Sequence, residues 1–246
     1  MLQMDLTREN ALAAVEELEE GLRQPLTLLQ REELLTRLSS YRRIAAISAL
    51  LAEGDVPAFR HELRLSATVR RELLLSSPGS AAPSRFRCAS RLDPLFDTLA
   101  AGEMGLARDI AKHSPHRWVA DEEFEDDFRY ADFLREHLLA GAKSSSPGEE
   151  RALAAFQKCS GDSGSPRLTV CESLSNRDQE AFDAVLEDLL FEREAEFQNA
   201  GPPLHPQRFH TERHIFIEGL ALLRLAVERG LSTQPDYRMM PGLVRR

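Results

Sequence analysis

Residues 215 to 227 read IFIEGLALLRLAV, and 10 of these 13 positions are apolar. A surface helix carries one apolar stripe; a helix apolar nearly all round must be covered on every side, so this segment belongs at the centre of a fold. It is too short to span a bilayer, which takes about 20 residues. Upstream, Phe182, Val185, Leu186, Leu189 and Leu190 step by threes and fours. That is an amphipathic helix, with Ser175 or Asn176 placed to cap it and Asp183, Glu187 and Asp188 on its polar side. Farther back, Leu34, Leu38, Tyr41, Ile44, Ile47 and Leu51 run to Gly54, and Asp55 with Pro57 opens a second helix through Leu75. The two make a helical hairpin.

No stretch alternates with period two, and no tight turn joins β-branched runs. The expected class is therefore all-α, a multi-helix bundle of antiparallel helix pairs. Pairs such as Gly102 to Lys112 followed by Phe124 to Leu139 have the rhythm of helical repeats, although no 34-residue period aligns. Breaker clusters fall at 76–84 (SSPGSAAPS), 144–148 (SSSPG), 160–166 (SGDSGSP) and 201–206 (GPPLHP). The expected organisation is one domain over residues 1–246. Its alternative sets an N-terminal hairpin, 1–80, on a C-terminal bundle, 81–246.

The chain has 246 residues, 42% apolar and 29% charged, which suffices for a buried core. Its first residues, MLQMDLTREN, lack the basic and apolar regions of a signal peptide, and no run of 18 apolar residues occurs, so the expected location is the cytoplasm, with no membrane partner. Cys88, Cys159 and Cys171 are odd in number and share no CxxC spacing, against both a disulfide framework and a structural zinc site. The formal charge of -9 is uneven. Residues 121–200 hold 20 acids against 8 bases, while the rest of the chain is slightly basic. Such a field repels phosphate backbones and speeds encounter with a cationic protein, so the expected partner is basic and not a nucleic acid.

Candidate chemistry is sparse. Gly161-Asp162-Ser163-Gly164-Ser165-Pro166 is similar to the nucleophile segment of chymotrypsin-like proteases, but that chemistry needs strands and a placed histidine, whereas His61 lies in a helical stretch. His210, His214 and Glu218, spaced i, i+4, i+8, would share one face of a continuous helix and make a weak metal candidate, although HTERH is not HExxH. Arg60, Arg64 and Arg71 form a basic stripe that reads as a solvated face or as internal pairing with the acidic segment. There is no GxxxxGK[ST], GxGxxG or GxSxG. No catalytic residue and no cofactor is assigned, and the chain is not expected to be an enzyme.

Six of the seven residues from Asp121 to Asp127 are acidic: Asp121, Glu122, Glu123, Glu125, Asp126 and Asp127, interrupted by Phe124. One reading is structural, with Asp121 capping a helix whose buried stripe is Phe124, Phe128, Ala131 and Leu138. The other is a docking patch for a basic surface.

Asn176-Arg177-Asp178-Gln179-Glu180-Ala181-Phe182, Leu186 to Leu190, Ile215 to Leu231 and the closing Pro241-Gly242-Leu243-Val244, with support from Gly105 to Ala111, resemble the immunity protein 49 family of bacterial polymorphic toxin systems. The resemblance covers residues 176–244. It implies an all-α cytoplasmic protein that binds a cognate toxin, delivered by a neighbouring cell through a route such as type VI secretion or made in the same cell, and blocks it without catalysis. It carries no list of functional residues. The binding face expected here is the Asp121 to Asp127 cluster with Asp183, Glu187 and Asp188. A helical-repeat interaction scaffold and a metal-dependent enzyme stand as alternatives, and the oligomeric state is open.

Overall fold

The computed structural model describes residues 2–76, 84–141, 146–161 and 164–245. Among them are eleven α-helices and no strand. The first three, α1 (Leu2–Leu22), α2 (Leu28–Glu53) and α3 (Val56–Leu75), form a layer in which α2 is packed between the other two. Their ends are written locally. Thr27 and Gln30 make a reciprocal capping box at the start of α2, and Gly54 ends it in the left-handed conformation at φ 66°. The Asp55 carboxylate then accepts from the Ala58 N–H at 2.9 Å, opening α3. The hairpin expected on either side of Gly54 is present.

Next come α4 (Asp93–Ala100), α5 (Met104–His113), α6 (Glu125–Ala140), α7 (Pro147–Ser160), α8 (Pro166–Asn176), α9 (Gln179–Asn199), α10 (Pro206–Glu212) and α11 (Ile217–Glu228). α11 is the central helix: Leu220, Ala221, Leu222, Leu223, Leu225 and Ala226 are all buried, and its main partner is α4, itself buried from Pro94 to Ala100. A Cβ at Gly219 would press on the Met240 sulfur and the Phe216 ring, so glycine lets the C-terminal tail lie close against α11 without those side chains having to shift. The Phe216 N–H donates to the Met239 carbonyl at 2.8 Å and fixes that tail. The main apolar cluster draws on residues from Ala46 to Val244 and crosses the breaker at 76–84.

In a helical-repeat stack each unit touches only its neighbours in sequence. Here α11 packs on α4 and α10 on α2, so the chain closes on itself as a bundle. Two capping expectations are corrected. Ser175 and Asn176 lie in the last turn of α8, and α9 is capped by Asp178, which accepts from the Ala181 N–H at 3.0 Å; the left-handed Arg177 (φ 56°) separates the helices. Asp121 does not cap α6 and Phe124 is not in its buried stripe. Phe124 occupies the cap position 77% exposed, while Phe128, Ala131 and Leu138 are buried as expected. The cause is Glu123. Its carboxylate turns inward to accept from Ser90 N–H at 2.9 Å and Val119 N–H at 3.3 Å, and its carbonyl accepts from the Trp118 indole at 3.0 Å. These bonds hold the preceding residues in a turn and delay the helix.

The Arg60, Arg64 and Arg71 stripe makes contacts to the C-terminal tail and to the start and middle of α5. Arg60 donates to the Val244 carbonyl at 3.0 Å, Arg64 lies 4.0 Å from Glu103, and Arg71 pairs with Asp109 on α5. The three cysteines are free thiols. Among the described residues no helix is long and apolar enough to cross a membrane.

Candidate functional site

A cleft of about 740 Å³ opens between α2, α4, the turn at Ser90 to Leu92, the acidic stretch before α6, and the junction of α10 with α11. Its floor is built on Arg43. The buried stripe of α2 includes Leu35, Ser39, Arg43, Ala46 and Leu50, which puts a guanidinium where an apolar side chain would ordinarily sit. Arg43 is 5% exposed and pairs with Asp97 at 2.8 Å, Asp93 at 2.9 Å and Glu212 at 3.5 Å. Ser66 donates to the second Asp97 oxygen at 2.6 Å, and Ser39 lies 2.8 Å from Ser66. Arg208 bridges Asp93 at 2.7 Å and Glu212 at 2.9 Å, and Arg193 reaches Glu212 at 3.3 Å.

Burial pushes the Asp97 carboxyl up to about 6, even though Arg43 and Ser66 pull it down. Burial also works against the charges of Arg43 and Asp93. For Arg43 the three carboxylates outweigh it and keep the guanidinium protonated; for Asp93 the guanidinia of Arg43 and Arg208 hold the carboxyl below its ordinary range. Every acid of this floor is gripped by arginine. That is the arrangement of a structural lock, and removing one partner from it would leave a buried charge uncompensated.

The rim is different. Asp121, Glu122 and Asp126 have no ion pair or hydrogen bond among the described residues, and the first two line the cleft with Phe124 between them and Asp127. Glu123 is inside the loop, Glu125 pairs with Arg129 at 2.7 Å, and Asp127 pairs with Arg167 at 3.0 Å. The six acids that stand together in sequence thus divide into three that face solvent unpaired and three that hold the structure.

A second cleft of about 380 Å³ adjoins the first and shares Asp127, Arg167, Arg193, Phe216 and Glu218 with it. Arg167 is held by Asp127 and Glu218 and lies 5.1 Å from the Tyr130 ring centroid; the Tyr130 hydroxyl donates to Glu218 at 3.0 Å. Glu192 and Glu196 of α9 also line this cleft. Asp183, Glu187 and Asp188 line neither cleft. At about 100° per residue, the α9 face that carries Leu189, Arg193 and Glu196 into the cleft turns Asp183 and Glu187 well away from it.

His210, His214 and Glu218 are not brought together as a metal triad. The helix expected to carry all three breaks: α10 ends at Glu212 and α11 starts at Ile217, with His214 exposed between them. Glu218 is meanwhile engaged by Tyr130 and Arg167. No group of three or more His, Cys, Asp or Glu side chains among the described residues is placed to hold a metal ion. The Gly161 to Pro166 segment joins α7 to α8, and its Asp162 and Ser163 lie outside the described residues.

Sequence reasoning missed Arg43, Arg167, Arg193, Glu192 and Glu196. Arg43 had a signal, a charge at a core position of a strongly periodic helix. The others are ordinary helix-surface residues until the folded chain sets them across a cleft.

The family model described as immunity protein 49 matches residues 39–242. It reaches well upstream of the C-terminal third that carried the resemblance and takes in most of α2 together with every residue of both clefts except Leu35 and Thr36. No curated protein and no solved structure matches the chain.

Proposed function

We propose that this chain, which belongs to the immunity protein 49 family, binds a cognate bacterial toxin in the cytoplasm and neutralises it by occupying it, without catalysis. The observation that carries the reading is the contrast within one cleft, where arginine-locked acids form the floor and unpaired acids stand around an exposed phenylalanine on the rim. Unpaired carboxylates project a negative potential that steers a basic partner, and an exposed aromatic supplies the apolar anchor on which protein interfaces concentrate their energy. Asp121, Glu122 and Asp126 with Phe124 are the contact residues of this reading. Asp183, Glu187 and Asp188 contribute through the long-range field. Glu123, bonded to the Ser90 and Val119 N–H groups, holds the turn that presents this rim, and a held turn lowers the entropic cost of binding.

The test is co-expression with a candidate cognate toxin, read as survival and as a 1:1 complex by size-exclusion chromatography. Reversing Asp121, Glu122 and Asp126 to lysine should lower the association rate about tenfold or more at low salt and shrink its salt dependence, with the fold intact. A wild-type chain that neither forms the complex nor protects would overturn the function. Unchanged association after the triple reversal would overturn the face.

A further inference from the structure

We infer that the end of the larger cleft between α2 and α3 is a carboxylate pocket, in which Arg70 and Arg91 receive one acidic group of the protein partner. The inference rests on the reading of the chain as a toxin-binding protein and names a second group that enters the same cleft. Among the described residues four arginines are buried, Arg43, Arg70, Arg87 and Arg229. Arg43 pairs with Asp93, Asp97 and Glu212, Arg87 with Glu32, and Arg229 with Glu149. Arg70 lines the cleft 5% exposed and has no carboxylate partner. It donates instead to the carbonyls of Phe86, Arg87 and Cys88, the last two at 3.2 and 2.9 Å. Arg91, exposed on the same cleft, donates to the preceding carbonyl, that of Arg85, at 3.3 Å, and it makes no ion pair among the described residues. Two guanidinia thus converge on four consecutive carbonyls of one turn, and neither has a paired negative charge.

A buried cation that meets carbonyl dipoles alone is under-compensated. Burial, followed by the like charge of Arg91, pulls the Arg70 pKa down to about 10, with Arg87 adding to the shift. Glu123 opposes it from beyond pairing distance, its own carboxylate being committed to the Ser90 and Val119 N–H groups. An anion in the pocket supplies the missing charge. Leu35, Leu73 and Phe86 form one buried cluster that lines this end of the cleft, and such an apolar wall strengthens a charge pair made against it. A carboxylate matches the planar fork of a guanidinium and accepts two donors at once. A dianion such as phosphate fits less well, because Asp121 and Glu122, unpaired on the same cleft, repel the second charge. Both signs are compatible in one partner: a basic surface is steered to the rim, and one acidic side chain within that surface fixes the register.

The probe is N-acetylaspartate amide, compared with N-acetylasparagine amide of the same shape and with inorganic phosphate. Each is titrated into the isotope-labelled full chain at constant ionic strength and followed by the backbone amides and the arginine Nε–H resonances. The aspartate compound should give saturable shifts at residues 35–36, 70, 73 and 85–91, with the Nε–H groups of Arg70 and Arg91 moving most. Its affinity should fall about tenfold for the asparagine compound and for Arg91→Gln, the loss of a charge-assisted pair. Arg91 is exposed and makes a single long hydrogen bond, so this variant keeps its fold. Arg108→Gln removes an exposed guanidinium of α5 that does not line the cleft and should change the affinity less than about twofold. In the toxin complex Arg91→Gln should weaken binding about tenfold. Scattered shifts, equal binding of the asparagine compound, tighter binding of phosphate, or an affinity unaltered by Arg91→Gln would each overturn the pocket. A complex unaffected by Arg91→Gln would overturn the partner as the source of the carboxylate. These outcomes are separable from the function: a chain that protects but ignores the aspartate compound loses only the pocket, and one that takes the compound but does not protect loses only the toxin reading.

Discussion

The floor and the rim of the larger cleft are built from the same residue type and do opposite things. On the floor, Asp93, Asp97 and Glu212 share Arg43, Arg193 and Arg208 in a network whose central members are less than a tenth exposed. On the rim, Asp121 and Glu122 stand in solvent with no partner, beside a phenylalanine that buries less than a quarter of its surface. A carboxylate that has spent its charge on an internal arginine supports the fold and presents little field outside. One that has not contributes almost nothing to the fold and stays available to another molecule. Partnering, more than position in an acidic run, separates the structural acids from the unpaired ones here.

The sharpest break of that comparison is Arg43→Met. It leaves Asp97 buried against Ser66 without its cation, and equilibrium urea unfolding should show a loss of about 3–5 kcal/mol, the range for stripping one partner from a buried pair. A loss near zero would mean that the floor is no lock. On the rim the expectation inverts. Phe124→Ala should leave urea stability within about 0.5 kcal/mol, as for a surface substitution, while weakening the toxin complex by about 2 kcal/mol, the threshold of an interface hot spot. If Phe124→Ala destabilised the fold and spared the complex, the two regions would have been assigned the wrong way round.

A smaller effect comes from a third site, away from both clefts, where His137 on α6, Glu149 on α7 and Arg229 after α11 meet fully buried. Burial lowers the His137 pKa, with Glu149 opposing and Arg229 adding to the shift. Burial raises Glu149, but His137 and Arg229 more than offset it, and its pKa ends below the ordinary value. Both folded-state values are depressed, so their contribution to stability is present above the unfolded pKa values and is lost as pH falls, first below 6.5 for His137 and then below 4.5 for Glu149. Asp97 has the other sign: its value is raised from 3.8 to about 6, so the protonated form favours the fold and that contribution is lost as pH rises through about 6. Thermal melts should therefore show His137→Gln falling less steeply than wild type between pH 6.5 and 5. Parallel slopes would remove His137 from the acid response.

Much of the fold was legible. The hairpin around Gly54, the stripe of α9 and the central helix near Leu220 depend on residues a few positions apart, and periodicity reports such neighbours directly. Caps were less so. Asp178 won over Ser175 and Asn176 because α8 runs on to Asn176 and turns at a left-handed Arg177, a break with no glycine or proline to mark it. The metal candidate failed for a related reason. The pattern from His210 to Glu218 reads as one helix, whereas burying Ile215, Phe216 and Ile217 beside the Met239 carbonyl forces a new start.

The candidate site was half legible. The run from Asp121 to Asp127 could be seen at once, but nothing in it marked Glu123 as internal or Asp127 as already paired. Those assignments depend on Ser90 and Arg167, which are 33 and 40 positions away. By itself the sequence determined the helices, the central place of residues 215–227, the family and the acidity of one segment, because each is a property of composition or of neighbours along the chain. The tertiary structure decided which acids are free. Arg43 and Glu212 are 169 residues apart, and a charge pair at that separation exists only once packing has brought two helices together and excluded the water that would otherwise screen it.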